Sequence, residues 1–367
     1  MIPDSNYDLF GATPDDAQAD PQIVDDAEAE EQSHTRFQIT SYGADMTVFE
    51  LTHRLGKELI IPPAFQRKYV WSKKQASRFI ESLLMGLPVP GIFLFKDQKL
   101  KKQLLVDGLQ RLRTLAFFKS KVFDGKLFDL TDVADVWAGK TWDDLPPEDR
   151  DTIEQSVIHA TIFQQDYPKE RDRSIYEVFE RINTGGMRLS YQEIRSCVSF
   201  GSFSALLHDL NVLPNWRAIF GKPSTRLKDE ELILRFFALL HRGEKYKKPM
   251  REFLDDFLEE NREFGAINDA LLKNEFTNTI NAAHSALGER SFRIGPSLNA
   301  AIFDAVMVGL AKRLRDGAIR DSKAMEQTYL NLLKDKEFEA AYVRATSDDE
   351  SVRNRLRIAT RAFANVK

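Results

Sequence analysis

The feature that most constrains this chain is an alternation between residues 60 and 163. Apolar runs of strand length alternate there with amphipathic stripes at helical spacing. Ile60 and Ile61 form a short run that Pro62-Pro63 ends. Ser72 then opens a helix, with Gln75 three residues on as in a capping box. Ala76, Phe79, Ile80, Leu83, Leu84 and Leu87 follow on one face, and Gly86 and Pro88 stop it. Residues 91–96 and 103–106 read as two strands around a lysine-rich turn. Asp107 opens a second helix that runs to about Lys119, and residues 157–163 read as a closing strand. The order predicts an α/β domain over residues 36–165. At its start, residues 44–57 read as a short helix with Val48, Leu51 and Leu55 on one face.

Beyond residue 170 the periodicity is helical almost throughout. Ile175, Val178, Phe179 and Ile182 share a face, and Ser190 with Glu193 makes another capping box. Leu232, Ile233, Phe236, Phe237 and Leu240 form the next stripe. Pro249 and Pro296 fit the starts of two more helices, the second carrying Leu298, Ile302, Val306 and Leu310. A last helix carries Val352, Leu356, Ala359 and Phe363. Residues 166–367 are therefore expected to form an all-α domain, which makes the chain α+β as a whole.

Charge is unevenly spread. Residues 1–35 hold ten acids and neither Lys nor Arg. With a net charge of −4 for the chain, removing those ten negative charges leaves +6 on the rest. The acidic arm is expected to be disordered and solvated. An alternative role is competition with a polyanion for the basic body. No apolar run reaches the roughly 18 residues that span a bilayer, so no membrane partner is expected. Met1 to Phe10 lacks the basic and apolar regions of a secretory signal. The single cysteine, Cys197, excludes an intramolecular disulfide and a multi-cysteine zinc site. These features point to the cytoplasm.

The densest chemistry lies in Asp107-Gly108-Leu109-Gln110-Arg111. Capping alone accounts for Asp107 and Gln110, as N-cap and N3 residues. It does not account for Arg111 and Arg113. A helix start carries partial positive charge, and a cation there costs a few tenths to about 1 kcal/mol. An anion at the same place removes that cost. A strand, a glycine turn, a helix start and nearby cations make a phosphate site. Gly108, without a Cβ, lets a ligand approach the backbone. A second cationic stretch is Phe65-Gln66-Arg67, followed by Lys68-Tyr69-Val70-Trp71. Arg67 offers a planar fork of donors for phosphate oxygens, and Gln66 can orient a hydroxyl or a water. Tyr69 and Trp71 read as core. A third stretch runs from Phe179 to Ser190 through Gly185-Gly186. It reads either as a plain helix C-cap or as a loop whose Arg181, Asn183 and Thr184 close over the pocket.

These motifs in this order resemble the N-terminal domain of the GmrSD-type modification-dependent restriction endonucleases. The matching text is IPPAFQRKYVWSKKQASRFIESLLMGLPVPGIFLF, then LLVDGLQRLRTL, then FERINTGGMRLSYQEIR, then RLKDEELILRFFALL. The resemblance implies a ParB/sulfiredoxin-like fold for residues 36–165. It also implies a nucleotide-stimulated DNA restriction or anti-phage defence factor. The Asp-Gly-Gln-Gln-Arg motif of that family, held to bind or hydrolyse nucleoside triphosphate, implies catalytic roles for Asp107, Gln110 and Arg111. It implies phosphate contacts for Gly108, Gln66 and Arg67. This sequence has Leu109 where the family commonly has Gln. Leu109 shares an apolar face with Leu112 and Ala116, so packing accounts for it.

Two-domain members carry a C-terminal His-metal nuclease. No histidine here follows His284, and no two of the six stand as a paired ligand motif. No such nuclease, and none of its histidine-held metal site, is expected in this chain. The expected cofactor is a nucleoside triphosphate (GTP or ATP) with Mg2+, which Asp107 would hold or whose attacking water it would orient. Expected partners are the nucleotide, DNA and a separate nuclease. Two other readings remain open. One is a non-catalytic DNA-binding module using Arg353, Arg355, Arg357 and Arg361 of the last helix. The other is a scaffold that binds a partner protein through its helices.

Overall fold

A computed structural model describes residues 23–24, 36–62, 69–98, 101–168, 174–182, 190–198, 201–264, 268–343 and 345–367. The chain divides into two compact units, one of residues 31–205, the other of residues 206–367 together with 1–30. The first strand, β1 (Ile23–Val24), belongs to the second unit.

The first unit contains a sheet of β2 (Gln38–Thr47), β3 (Ile60–Ile61), β4 (Ile92–Asp97), β5 (Lys102–Asp107) and β8 (Val157–Tyr167). Among the described residues their spatial order is β2-β8-β4-β5-β3. The β2–β8 and β4–β5 pairs are antiparallel, and β8–β4 and β5–β3 are parallel. A small hairpin, β6 (Val122–Phe123) with β7 (Lys126–Leu127), stands apart. The period of two along each strand sends neighbours to opposite faces. Ile92, Leu94, Leu105, Ala160 and Ile162 therefore join one core. Phe95, Leu104, Val106 and Phe163 join another. Burial on both faces explains why β4 and β5 read as continuous apolar runs.

On the first face lie α1 (Val48–Gly56), α2 (Lys73–Leu84), α3 (Leu109–Ser120) and α4 (Pro147–Gln155). Ser72 and Gln75 form the expected reciprocal capping box of α2. On the second face lie α5 (Ser174–Ile182) and α6 (Tyr191–Val198). Their Ile175, Tyr176, Phe179 and Ile194 pack against Phe95 and Val106. Four such side chains, each stabilising by about 1.5–3 kcal/mol when buried, tie α5 and α6 to the sheet. The first unit accordingly runs past both helices, to residue 205.

Residues 44–47 continue β2, and α1 starts at Val48. Thr47 is the cap, its hydroxyl accepting from the Glu50 backbone N–H. The helix expected over 44–57 is shorter because β2 pairs with β8 up to Thr47↔Val157.

The unit boundary falls within α7 (Ser202–Asn211), and the second unit goes on with α8 (Pro214–Phe220), α9 (Lys228–Arg242), α10 (Met250–Glu260), α11 (Asp269–Leu287), α12 (Ala300–Leu314), α13 (Ser322–Leu333), α14 (Lys336–Val343) and α15 (Asp349–Phe363). It is not purely helical. β9 (Arg293–Ile294) and β10 (Ser297–Asn299) form a hairpin, with β1 pairing in parallel on β10. Pro296 thus sits in a hairpin turn, Leu298 is a strand residue, and α12 is capped by Asn299. Ile23 and Val24, inside the arm expected to be disordered, supply a strand. Pro249 is the N-cap residue of α10, one position earlier than expected. Asp304 of α12 is fully buried between Arg235 of α9 and Arg355 of α15. No helix among the described residues is long and apolar enough to cross a membrane.

Candidate phosphate site at the start of α3

Strand β5 delivers Asp107, and the chain turns at Gly108 (φ 107°, ψ 9°) into α3. Gly108 is the N-cap residue, so Asp107 does not cap the helix. No side chain caps α3. The backbone donors of its first turn have no intrahelical partner. A left-handed residue here must be glycine for a second reason. A Cβ on Gly108 would stand within van der Waals distance of Ile92 Cγ2 and 3.0 Å from Ile92 Cβ.

Arg111 lies alongside this start, its side chain 14% exposed. Its Nη2 donates to Asp107 Oδ2 at 2.5 Å and to the Gly91 carbonyl at 3.0 Å. Arg111 Nε is buried without a hydrogen-bond partner among the described residues. Asp107 is partly open to solvent, at 40%. The partner carboxylate is therefore not a buried one that would hold the guanidinium to itself. Arg113 is half-buried, and burial lowers its pKa from the ordinary guanidinium value.

Gln110 has an unforeseen task. Its Oε1 accepts from the backbone N–H of Val70 at 3.1 Å and of Trp71 at 3.4 Å. It does not serve a capping box on its own helix. One turn on, Thr114 Oγ1 shares a 2.6 Å hydrogen bond with the Tyr69 hydroxyl. Burial pushes that phenol up to about 12, so it stays protonated. Tyr69 also packs edge-on against Phe117 and Phe123, and Trp71 packs against Phe79. Residues 69–71 are thus latched onto α3 from both ends. Thr114 and Gly91 were not singled out in the sequence. The signal for Thr114 was its i,i+4 spacing from Gln110, which places both on one helix face.

Replacing Gln110 with Ala leaves two backbone donors at Val70 and Trp71 without an acceptor. Val70 is exposed and Trp71 partly so, so water can reach both donors and the expected cost is about 0.5–1.5 kcal/mol, with faster hydrogen exchange at those two amides. Unchanged exchange would show that the latch does not rest on Gln110.

Gln66 and Arg67 lie outside the described residues, as do Asn183 and Thr184. Arg181 is on α5, largely exposed, 3.3 Å from Glu177 Oε2. The arginines of α15 do not form one cationic face. Arg355 is fully buried and bonded to Asp304 and the Thr346 carbonyl, while Arg353 and Arg357 pair with Asp349 and Glu337. No cluster of three or more His, Cys, Asp or Glu suited to a metal occurs among the described residues.

Residues 48–200 match the family model of the GmrSD restriction endonuclease, N-terminal domain. That span falls inside the sheet-bearing unit and takes in α5 and α6. No curated protein matches the chain.

Proposed function

We propose that residues 48–200, which match the family model of the GmrSD restriction endonuclease N-terminal domain, form a restriction-system module whose nucleoside-triphosphate site is the start of α3. The observation that carries this reading is the uncapped α3 N-terminus behind a left-handed glycine, with the Arg111 guanidinium beside it. The latch from Gln110 supports a second contribution. Arg67, two residues before Tyr69 in the chain, is read as the other guanidinium.

In this reading, backbone N–H groups of the first turn and Arg111 hold phosphate oxygens. Gln110 is a positioning residue. Gly108 provides the close approach. Mg2+ characteristically takes one or two carboxylates plus substrate phosphates and keeps its waters. Asp107 fits that donor set, since Oδ2 is used by Arg111 and Oδ1 makes no hydrogen bond among the described residues. When bound, the ion would supply charge neutralisation at the phosphates. Arg181, Asn183 and Thr184 are read as covering groups. The module would act with DNA and with a separate nuclease.

The test is binding of fluorescent GTP and ATP analogues, with Mg2+, to the wild type, Arg111→Lys and Arg111→Ala. Losing charge-assisted hydrogen bonds costs about 1.5–3 kcal/mol, or roughly 10- to 150-fold in Kd. Arg111→Lys keeps the charge without the fork and is expected to fall between the two. Equal binding by all three proteins ends the proposal. Phosphate release no faster than that of Arg111→Ala limits the site to binding.

A further inference from the structure

Hydrophobic patterning on the α1 face of the sheet stops abruptly toward one end. Along β8, β4 and β5, the core residues Ile162, Leu94 and Leu105 give way at the next same-face position to Gln164, Lys96 and Gln103. Lys96 and Gln103 are paired across adjacent strands, about 4.8 Å apart, and Gln164 follows the last β4–β8 pair, Phe95↔Phe163. Tyr42 of β2, 45% exposed and paired with Ile162 one step back from this row, also lines the cleft. Arg54, near the end of α1, and Lys101 and Lys102, at the β4–β5 turn, close it into a cleft of about 540 Å3.

The charge balance of this cleft is lopsided. Arg54, Lys96, Lys101 and Lys102 line it, and the lining acid, Asp97, is 2% exposed. Lys96 and Lys101 are exposed and make no ion pair among the described residues. Arg54 pairs with Glu50 at 2.9 Å, and Lys102 with Glu58 at 3.9 Å, on the rim. Exposed pairs of this kind contribute little, so an arriving phosphate can displace them. The cleft is not the α3 site seen from another side. β5 runs from Lys102 to Asp107, which sets the two ends roughly 17 Å apart at about 3.3 Å per residue.

We propose that this cleft binds a single nucleic-acid strand, its phosphodiester groups on Arg54, Lys96, Lys101 and Lys102 and a base on the Tyr42 ring. Cations on three different elements, all solvent-facing, track a chain of phosphates better than they clamp one. An exposed aromatic ring beside such a groove is a stacking platform indifferent to sequence. Arg54 donates to Gln103 Oε1 at 3.4 Å and Gln164 Nε2 donates to Asp166 at 2.9 Å, which leaves Gln103 Nε2 as a donor and Gln164 Oε1 as an acceptor for base edges or backbone oxygens. The proposal stands on this charge pattern and does not depend on a nucleotide at α3.

The experiment uses the full chain and a fluorescein-labelled oligothymidylate of about 16 nucleotides, read by anisotropy over a salt series. Single-strand binding weakens with a slope of about −0.7 per neutralised phosphate. With four cations engaged, raising salt fourfold is expected to weaken wild-type binding about 50-fold. In Lys96→Gln/Lys101→Gln the same step is expected to cost about sevenfold. Both lysines are exposed, so the thermal midpoint should not move, and ATP and GTP binding should match the wild type. Equal salt slopes in the two proteins overturn the proposal. So does absence of strand binding by the wild type, tighter binding of a duplex, or loss seen only on replacing Arg353, Arg357 and Arg361.

Discussion

Gly108→Ala is expected to destabilise the sheet-bearing unit by roughly 2–5 kcal/mol. Two causes add. A left-handed backbone costs an L-residue about 1–2 kcal/mol, and φ of 107° is less hospitable than the usual left-handed well. The new methyl would also press into Ile92, a core residue 1% exposed. Overpacking of that kind costs about 1–3 kcal/mol. Urea unfolding gives the size. Hydrogen exchange gives the place, since peptides from β4 and α3 should lose protection while those from α9 and α12 keep theirs. A variant with the wild-type midpoint would mean that the turn relaxes without Ile92, and the geometry proposed for the α3 start would go with it.

Asp304→Ala is expected to cost the helical unit about 3–5 kcal/mol. Asp304 Oδ1 accepts from Arg235 Nε at 3.1 Å. Its Oδ2 accepts from Arg235 Nη2 at 2.6 Å and from Arg355 Nη2 at 3.1 Å. All three side chains are essentially out of water. Burial lowers the Arg355 pKa, and the Asp304 charge opposes that shift. Removing the carboxylate takes from two buried guanidinium groups the counter-charge they share. The pair is destabilising by absence more than stabilising by presence, because the desolvation of three ions offsets their attraction. Replacing all three residues with apolar ones of similar size should therefore restore most of the loss. If Asp304→Ala shifts the denaturant midpoint by less than the equivalent of about 1 kcal/mol, water reaches the triad. The three helices would then be held by packing alone, including the close approach of Gly309 to the Ala359 backbone.

The sequence was most informative where burial is two-sided or capping is local. β4 and β5 stand out as apolar runs because helices cover both faces, and α2 because Ser72 and Gln75 satisfy each other within one turn. The α+β division followed from the same patterns. β2 escaped notice because it is an edge strand, exposed along most of its length, whose partner is more than a hundred residues away. The β9–β10 hairpin escaped because two- and three-residue strands are too short to show a period. Pro296 looked like a helix start because no local signal separates that role from a turn.

At the site, the residue types were legible and their assignments were not. Asp107, Gly108, Gln110 and Arg111 drew attention as a strand-to-helix turn bearing a cation. By itself the sequence determined that a glycine and an arginine flank the start of a helix, since spacing and composition are local properties. Only the tertiary structure decided that Gly108 takes the cap position and that Gln110 reaches residues forty positions back. The physical reason is that a backbone dihedral angle and a long-range hydrogen bond are set by what packs around them. Ile92 fills the space a side chain would need, and the Val70 and Trp71 amides arrive at Gln110 because Tyr69 is docked on α3.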